Sequence, residues 1–434
     1  MTDAPPTDDV AVDDAEDAQD ALLEGDRSFT PGTARAAWSH RTFRTVYLGA
    51  FASNVGTWMQ NVVLGAIAYD LTKSGAFVGL IIFAQLGPLL LLSIVGGMLA
   101  DTVDRKKLLM ILTLEQALFS GVLALVVVGH APSKVLLFGV TLVIGIGNAL
   151  YAPVFSAVLP VLVPRRDIAG AISLNSAQMN GSRVVGPVIG SFLYAHYGPS
   201  WVFVLNGLSY AAVIVALTRV TLPKPPASGT HGLHRLLEGF RVARADRVVG
   251  RVLVVIFTFS LFSLPFITQM PKIAGDHLGI APKSSAYGLL YASFGLGAVI
   301  GALSIGTVFA KTSKPLLTRV GLVGFAAFLT TFGLLRSAAP AYPIIFGLGL
   351  VYFAVVTSLT TVLQADLEDR VRGKVMALWI MGFGGTVPFG GLAGGWLIQR
   401  VGITPVLSGG AVVALALAWY ADLRRRSPAI ATQS

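Results

Sequence analysis

The chain has 434 residues, 54% of them hydrophobic and only 12% charged, with no cysteine and a formal net charge of +10. A soluble domain carries about twice that charged fraction, whereas windows such as 76–100, 108–129 and 286–308 hold at most one acid. At about 1.5 Å per residue each window crosses a hydrocarbon core about 30 Å thick, which excludes a water-soluble globule, and the lack of cysteine excludes a disulfide framework or thiolate chemistry.

In chain order, Met1–Asp26 holds ten of the 22 acids and no Lys or Arg, and has no apolar core of the signal-peptide kind. It reads as a disordered acidic tail, because it lacks the apolar surface to offset ordering entropy. Apolar runs then predict six helices near 44–69, 76–100, 108–129, 134–157, 169–195 and 201–218. Six more are predicted near 250–270, 285–309, 316–335, 341–363, 374–397 and 404–421. Between the two sets lie Pro223, Pro225 and Pro226 and a basic amphipathic stretch, Leu233–Ala245. The expected organisation is a tail over 1–40, an N-terminal six-helix bundle over 41–219 and a cytoplasmic linker with an amphipathic helix over 220–247. A C-terminal six-helix bundle over 248–421 and a basic tail over 422–434 follow. This is an all-α membrane fold of about twelve transmembrane helices.

Loop charge alternates. One side carries Arg41 and Arg44, Arg105–Lys107, Arg165 and Arg166, Arg235–Arg247, Lys311–Arg319, Arg370–Lys374 and Arg424–Arg426; the other holds scattered single charges such as Lys73, Lys134, Lys272 and Arg336. The positive-inside rule places both termini in the cytoplasm, at the inner membrane, and accounts for the basic excess without nucleic acid. The halves also resemble each other. A shift of 204 residues lays Arg166 on Arg370, Gly181 on Gly385, Gly186 on Gly390, Gly190 on Gly394 and Gly198 on Gly402, and parallel six-helix repeats are an architecture of transporters.

Several residues stand out inside or beside the spans. After the second comes Gly97-Met98-Leu99-Ala100-Asp101-Thr102-Val103-Asp104-Arg105-Lys106-Lys107. Gly97 would let a neighbouring helix approach, and a charge pair built on Asp101 can hold one conformation and be broken in another; Arg105–Lys107 also simply mark the cytoplasmic side. The fifth span holds Asn180 and Arg183 followed by Gly186-Pro187-Val188-Ile189-Gly190, where Gly-Pro frees a carbonyl and the glycines suit close packing. Arg183 lies about 20 Å from the cytoplasmic end, where a charge needs a partner or water. It either pairs with carbonyls or Asn180, or meets an anionic or polar substrate or a gating partner. Glu115, about two turns into the third span, is a candidate for proton exchange. Asn54, Trp58, Asn61 and Gly65 share one helical stripe, and Asn148, Gln269, Tyr287 and Tyr291 add polar or aromatic candidates for a cavity wall or for interhelical hydrogen bonds. Arg372, within Arg370-Val371-Arg372-Gly373-Lys374, marks the corresponding loop of the second half.

The Gly97–Lys107 segment resembles the cytoplasmic signature of the major facilitator superfamily, with Thr102 and Asp104 replacing a common Arg and Gly. Asn180-x-x-Arg183-x-x-Gly186-Pro187 and the Arg372 segment are similar to its efflux-type branch of enterobactin-exporter-like proteins. The resemblance implies a secondary transporter that works by alternating access, coupled to protons, with a preference for efflux of small drug- or siderophore-like amphiphiles over uptake. It implies gating roles for Gly97, Asp101, Asp104, Arg105, Gly186, Pro187, Gly190 and Arg372. No Walker motif, HExxH motif or paired intramembrane carboxylates point to an enzyme, and no cofactor is implied. Uptake by the same fold and a nontransporting membrane sensor are the competing readings. The expected partners are a small solute, the bilayer and protons, and a monomer suffices because both halves lie in one chain. Asp101→Asn is expected to keep the fold and strongly reduce transport; vesicle transport equal to the parent's would remove Asp101 from the gate.

Overall fold

The computed structural model describes residues 29–128, 132–222, 232–365, 367 and 369–423. The acidic stretch of Met1–Asp26, the prolines of the linker, Asp366, Glu368 and Arg424–Arg426 lie outside the described residues. The described residues are helical throughout, with no strand among them. The first bundle comprises α2 (Arg41–Thr72), α3 (Gly75–Thr102), α4 (Arg105–Val126), α5 (Lys134–Val158), α6 (Ile168–Tyr197) and α7 (Pro199–Thr218), preceded by a short α1 (Ala34–Ser39). A connecting helix, α8 (Gly232–Ala245), leads to a second bundle. Its first span is broken into α9 (Arg247–Phe262), α10 (Pro265–Thr268) and α11 (Met270–Asp276). There follow α12 (Ser285–Gly306), α13 (Lys314–Leu334), α14 (Ala341–Gln364), α15 (Asp369–Ile380) running through a π turn, Met381–Gly385, into α16 (Val387–Val401), and α17 (Ile403–Tyr420).

Helix starts are set by short polar caps. Ser74 accepts from the Phe77 N–H, Ser133 from Leu136, and Asp246 from Val248 and Val249, each occupying an amide that the helix itself leaves open. Breaks fall at prolines: Pro265 and Pro271 lack the N–H that a continuous seventh span needs. Among the described residues ten spans are long and apolar enough to cross a membrane. The other two long helices, α2 and α6, miss that hydropathy mark because they carry Asn54, Gln60 and Asn61, and Asn175, Gln178, Asn180 and Arg183.

The internal repeat is structural. In each bundle the second helix packs on the fourth, the third on the sixth and the first on the fifth. Gly186 and Gly190 rest on Val55 and Met59 of α2, and their counterparts Gly390 and Gly394 rest on Leu261 and Pro265. Gly198 and Gly402 turn the chain in one residue with φ of 88° and 89°, a backbone that side-chain-bearing residues rarely adopt. Polar glue holds the first bundle: Gln60, Ser120 and Asn206, all buried, hydrogen-bond at 2.9–3.2 Å across α2, α4 and α7.

One expectation needs correction. The tail does not extend to residue 40, because α1 is a helix docked on the start of α6. His40 Nε2 lies 2.8 Å from the Asp167 carboxylate, both side chains being buried, and the Gly32 N–H donates to its other oxygen at 2.9 Å. The seventh span, expected near 250–270, lies at Arg247–Thr268, and the separate α11 follows it to Asp276. Asp167→Ala removes the acceptor shared by His40 and Gly32 and is expected to cost about 2 kcal/mol. Thermal unfolding in detergent checks this, with Asp167→Asn, which keeps an acceptor, losing less.

Candidate functional site

The bundles meet along two helix pairs, α3 with α16 and α6 with α12. Glycine allows the approach. A Cβ on Gly79 would stand 2.7 Å from the Gly391 carbonyl oxygen, one on Gly288 2.7 Å from that of Pro187, and one on Gly295 2.8 Å from Val184. Call the membrane face that carries Arg105–Lys107 the basic face. All three approaches lie at mid-depth or toward the opposite, far face. There a latch joins the bundles. The Tyr69 hydroxyl donates to Asp276, Lys272 pairs with Asp276 at 2.6 Å and donates to the Lys73 carbonyl at 3.2 Å, and Gln399 donates to Ser74. Behind it the Tyr194 hydroxyl donates to Asp70 at 3.2 Å. Burial pushes the Asp276 carboxyl up, but hydrogen bonds from Lys272 and Tyr69 outweigh it and hold the group below the usual carboxylate range. The latch is thus charged above that range and weakens as pH falls through it.

Toward the basic face the bundles part. The α6 stripe that touches α12 through Ser191, Pro187 and Val184 continues by helical periodicity through Asn180, Ala177, Ser176 and Ser173. Asn180 is half-buried and the last three are exposed. On α3, Leu90 lies against Gly385, whereas Gly97, seven residues on, faces open space. A vestibule therefore opens on the basic face and ends at mid-depth.

Three side chains meet at its end. Arg183 is the sixteenth of the 30 residues of α6, Trp58 the eighteenth of the 32 of α2, and Phe353 the thirteenth of the 24 of α14. The guanidinium carbon stands 5.3 Å from the Trp58 ring and 5.4 Å from that of Phe353, within cation–π range of both. It makes no hydrogen bond or ion pair with any described residue, and its Nε is buried. Glu115, the eleventh of the 22 residues of α4, is the other Asp, Glu, Lys or Arg at this depth among the described residues. Both its oxygens are buried without a hydrogen-bond partner, against Gly147 of α5.

The remaining sequence candidates scatter. Asn54 and Asn61 are half-buried on the Trp58 stripe, which faces the second bundle where Gly65 meets Pro271. Asn148 is half-buried on α5, next in sequence to the Gly147 that packs on Glu115. Asn180 donates to the Ser176 carbonyl at 2.9 Å, leaving Arg183 to the rings. Tyr291 donates to the Ile267 carbonyl at 3.3 Å and packs edge-on with Tyr287. Gln269 is fully buried between α10 and α11, donates to the Gly391 carbonyl at 3.0 Å and fills the seam where Gly75 meets Gly395, while its Oε1 has no hydrogen-bond partner among the described residues.

In the signature, Arg105 lies 3.9 Å from Asp101 and its Nε donates to the Ala100 carbonyl at 2.8 Å. Asp104 accepts from the Lys107 N–H at 3.1 Å and is the N-cap of α4. The close approach expected at Gly97 falls instead on Gly96, whose Cβ would meet Pro153 and Leu150 of α5. Arg372 donates to the Leu367 carbonyl at 3.1 Å, and Lys374 pairs with Glu238 of α8, fastening the linker helix to the second bundle. Phe353, Tyr69 and Asp276 carry no sequence signal. The latch partners lie 207 residues apart, and Phe353 is one of 24 phenylalanines.

Long helices in two repeated bundles, sealed on one face and parted on the other around a mid-depth charge, define a multi-pass transporter of the major facilitator fold. Solved structures agree on the fold: the nucleoside transporter NupG has a TM-score of 0.70 at 13% identity over 88% of this chain and 98% of its own. A bacterial homolog of the human lysosomal transporter Spinster, inward-facing and occupied, has 0.68 at 16% over 88% and 96%. The pattern of the family described as transmembrane secretion effector matches residues 32–433, and the chain belongs to that family of efflux-type major facilitator proteins. It is 28% identical over 352 residues to the enterobactin exporter EntS of Escherichia coli O1:K1 / APEC, covering 79% of this chain and 81% of the relative. The same figures hold for EntS of Shigella boydii serotype 4 (strain Sb227).

Asp276→Asn removes the charge paired with Lys272 and is expected to weaken far-face closure by about 1 kcal/mol, about fivefold in the closed-to-open ratio. The chain has no cysteine, so a Ser74→Cys/Gln399→Cys pair reports closure through its crosslinking rate, which should fall by that factor.

Proposed function

We propose that the protein is a proton-coupled exporter of small amphiphilic compounds, of drug or siderophore-like kind, in the inner membrane with both termini in the cytoplasm. The observation that carries the reading is the mid-depth end of a vestibule sealed on one face only. The concentration of Lys and Arg on the open face supports its assignment to the cytoplasm, so the structure is the state that loads from inside. Release follows when the Tyr69–Asp276–Lys272 latch parts and the basic face closes. In that closure Gly97, on the same stripe as Leu90, meets α15 and the π turn, and the Asp101–Arg105 pair moves to the interface. Asn54, Trp58, Asn61, Asn180 and Arg183 form the substrate wall. The relatives named as enterobactin exporters support efflux over uptake.

Glu115 carries the proton. Every other described acid sits at a helix end, in a loop or on the linker helix α8, whereas Glu115 lies in the middle of a span with both oxygens unpartnered. An ionised carboxyl there costs several kcal/mol without water or a partner, so its proton occupancy follows water access. Taking a proton from the far side and releasing it to the cytoplasm returns the emptied carrier. In inside-out vesicles an imposed pH gradient should drive substrate accumulation by the parent. Glu115→Gln should lose about tenfold or more of that gradient-driven flux while keeping counterflow exchange. Undiminished gradient-driven flux in Glu115→Gln would clear Glu115 of the role, and flux in the opposite sense would mark an uptake carrier.

A further inference from the structure

We infer that the vestibule binds organic anions, and specifically a carboxylate or comparable planar oxyanion on an aromatic body, with the anionic group on Arg183 and the ring against the aromatic wall of the second bundle. The inference rests on the transporter reading and narrows its substrate class.

The argument begins with an unmet demand. A guanidinium carries five N–H donors in a plane, and at mid-membrane depth a charge is tolerated only where it is paired, hydrated or awaiting a ligand. Among the described residues Arg183 pairs with no acid and donates no hydrogen bond, and its Nε is buried without an acceptor. Asn180, one turn back, turns its amide to Ser176 instead. The two aromatic contacts, Trp58 and Phe353, use the cation's charge and none of its donors. They also hold the side chain from two directions, so a fork matching a carboxylate is presented in advance. A cationic drug would meet this charge with repulsion in a low-dielectric setting.

The surroundings specify the rest of the ligand. Phe353 adjoins Tyr352 edge-on at 4.8 Å, and Phe383 is stacked on Tyr352 at 17° and on Trp379 at 8°. Phe383 and Trp58 keep partial exposure, which leaves ring surface for a planar apolar body. Trp58 and Arg183 belong to the first bundle and Phe353 to the second. Rocking the bundles therefore changes the number of rings that face the guanidinium, and with it anion affinity. A ligand moves such an equilibrium only through this kind of difference between states.

The test uses the purified full chain in lipid nanodiscs with two probes of one shape, 2-naphthoate and its neutral amide, 2-naphthamide, followed by titration calorimetry. The parent should bind the carboxylate about tenfold or more tighter than the amide, the scale of a charge-assisted hydrogen bond. Arg183→Gln should lose that preference, and Arg183→Lys should keep part of it. Phe353→Leu should weaken the carboxylate severalfold, which a purely structural cation–π staple would not do selectively; melting curves show whether each variant is folded, and this variant keeps the test alive should Arg183→Gln unfold. Equal binding of the two probes by the parent, no binding of the carboxylate, or an undiminished preference in Arg183→Gln would overturn the inference. The underlying transport reading fails separately: Arg183-dependent naphthoate binding without flux in proteoliposomes would sink transport and leave the anion site standing. Arg183-independent flux of the cation ethidium would do the reverse.

Discussion

The structure depends on backbone-to-backbone contact between the two bundles in the far half of the membrane. Lipid tails are as apolar as leucine side chains, so no hydrophobic gain favours one bundle face over the other; close packing and hydrogen bonds must hold them together. Gly75 and Gly79 on α3, Gly391 and Gly395 on α16, and Gly288 and Gly295 on α12 let main chains touch where any side chain would hold them apart. A contact made of small residues is also reversible. Separating it exposes little side-chain surface that cannot be satisfied by lipid or water, so the polar latch of Tyr69, Lys272 and Asp276 is enough to bias which face is closed.

Much of this fold is legible in sequence for a plain physical reason. A span must be apolar for about 20 residues and satisfy its own backbone, so α3, α4, α5 and α12–α14 leave uninterrupted runs. The less apolar α2 and α6 are the more informative elements. Their polar stripes depress hydropathy because they face each other and the second bundle rather than lipid. Arg183 was readable as a mid-span charge from counting alone. Its partner ring was not, since Phe353 lies 170 positions away in an apolar helix where phenylalanine is unremarkable. Gln269 and Asp104 are each polar or charged in an eye-catching place, and each is engaged by the scaffold, one donating across a seam and the other capping a helix. Sequence marks where polarity is; only the contacts tell whether its hydrogen-bonding capacity is already used.

That distinction separates scaffold from site. Gln60, Ser120 and Asn206 satisfy one another, and His40 and Asp167 do the same at the α1 dock. Such closed sets are stable and have nothing left to offer a ligand. Arg183 and Glu115 are the reverse, ionisable and deep, with donors or acceptors unmatched. One stands between the Trp58 and Phe353 rings, and the other lies in the wall between α4 and α5. They occupy the same level of the first bundle without pairing, so under the proposed function a substrate anion and a proton would be handled by different side chains.

The repeat sharpens the point. With the halves in register by 204 residues, Gly186, Gly190 and the left-handed Gly198 fall on Gly390, Gly394 and Gly402, and both sets perform the same packing. Arg183 falls on Val387, Gln178 on Gly382 and Pro187 on Gly391. What the halves share is backbone geometry, and what they do not share is charge. In place of a charged fifth helix the second half has a π turn at Met381–Gly385 and an aromatic wall. A transporter built from two like bundles needs both to rock, but a ligand with one charged end and one apolar end needs them to differ. The division here, cation in one half and rings in the other, places the two ends of such a ligand on opposite sides of the moving interface. Under that proposal bound substrate would draw the bundles together across the basic face, and an empty site would leave them to the far-face latch.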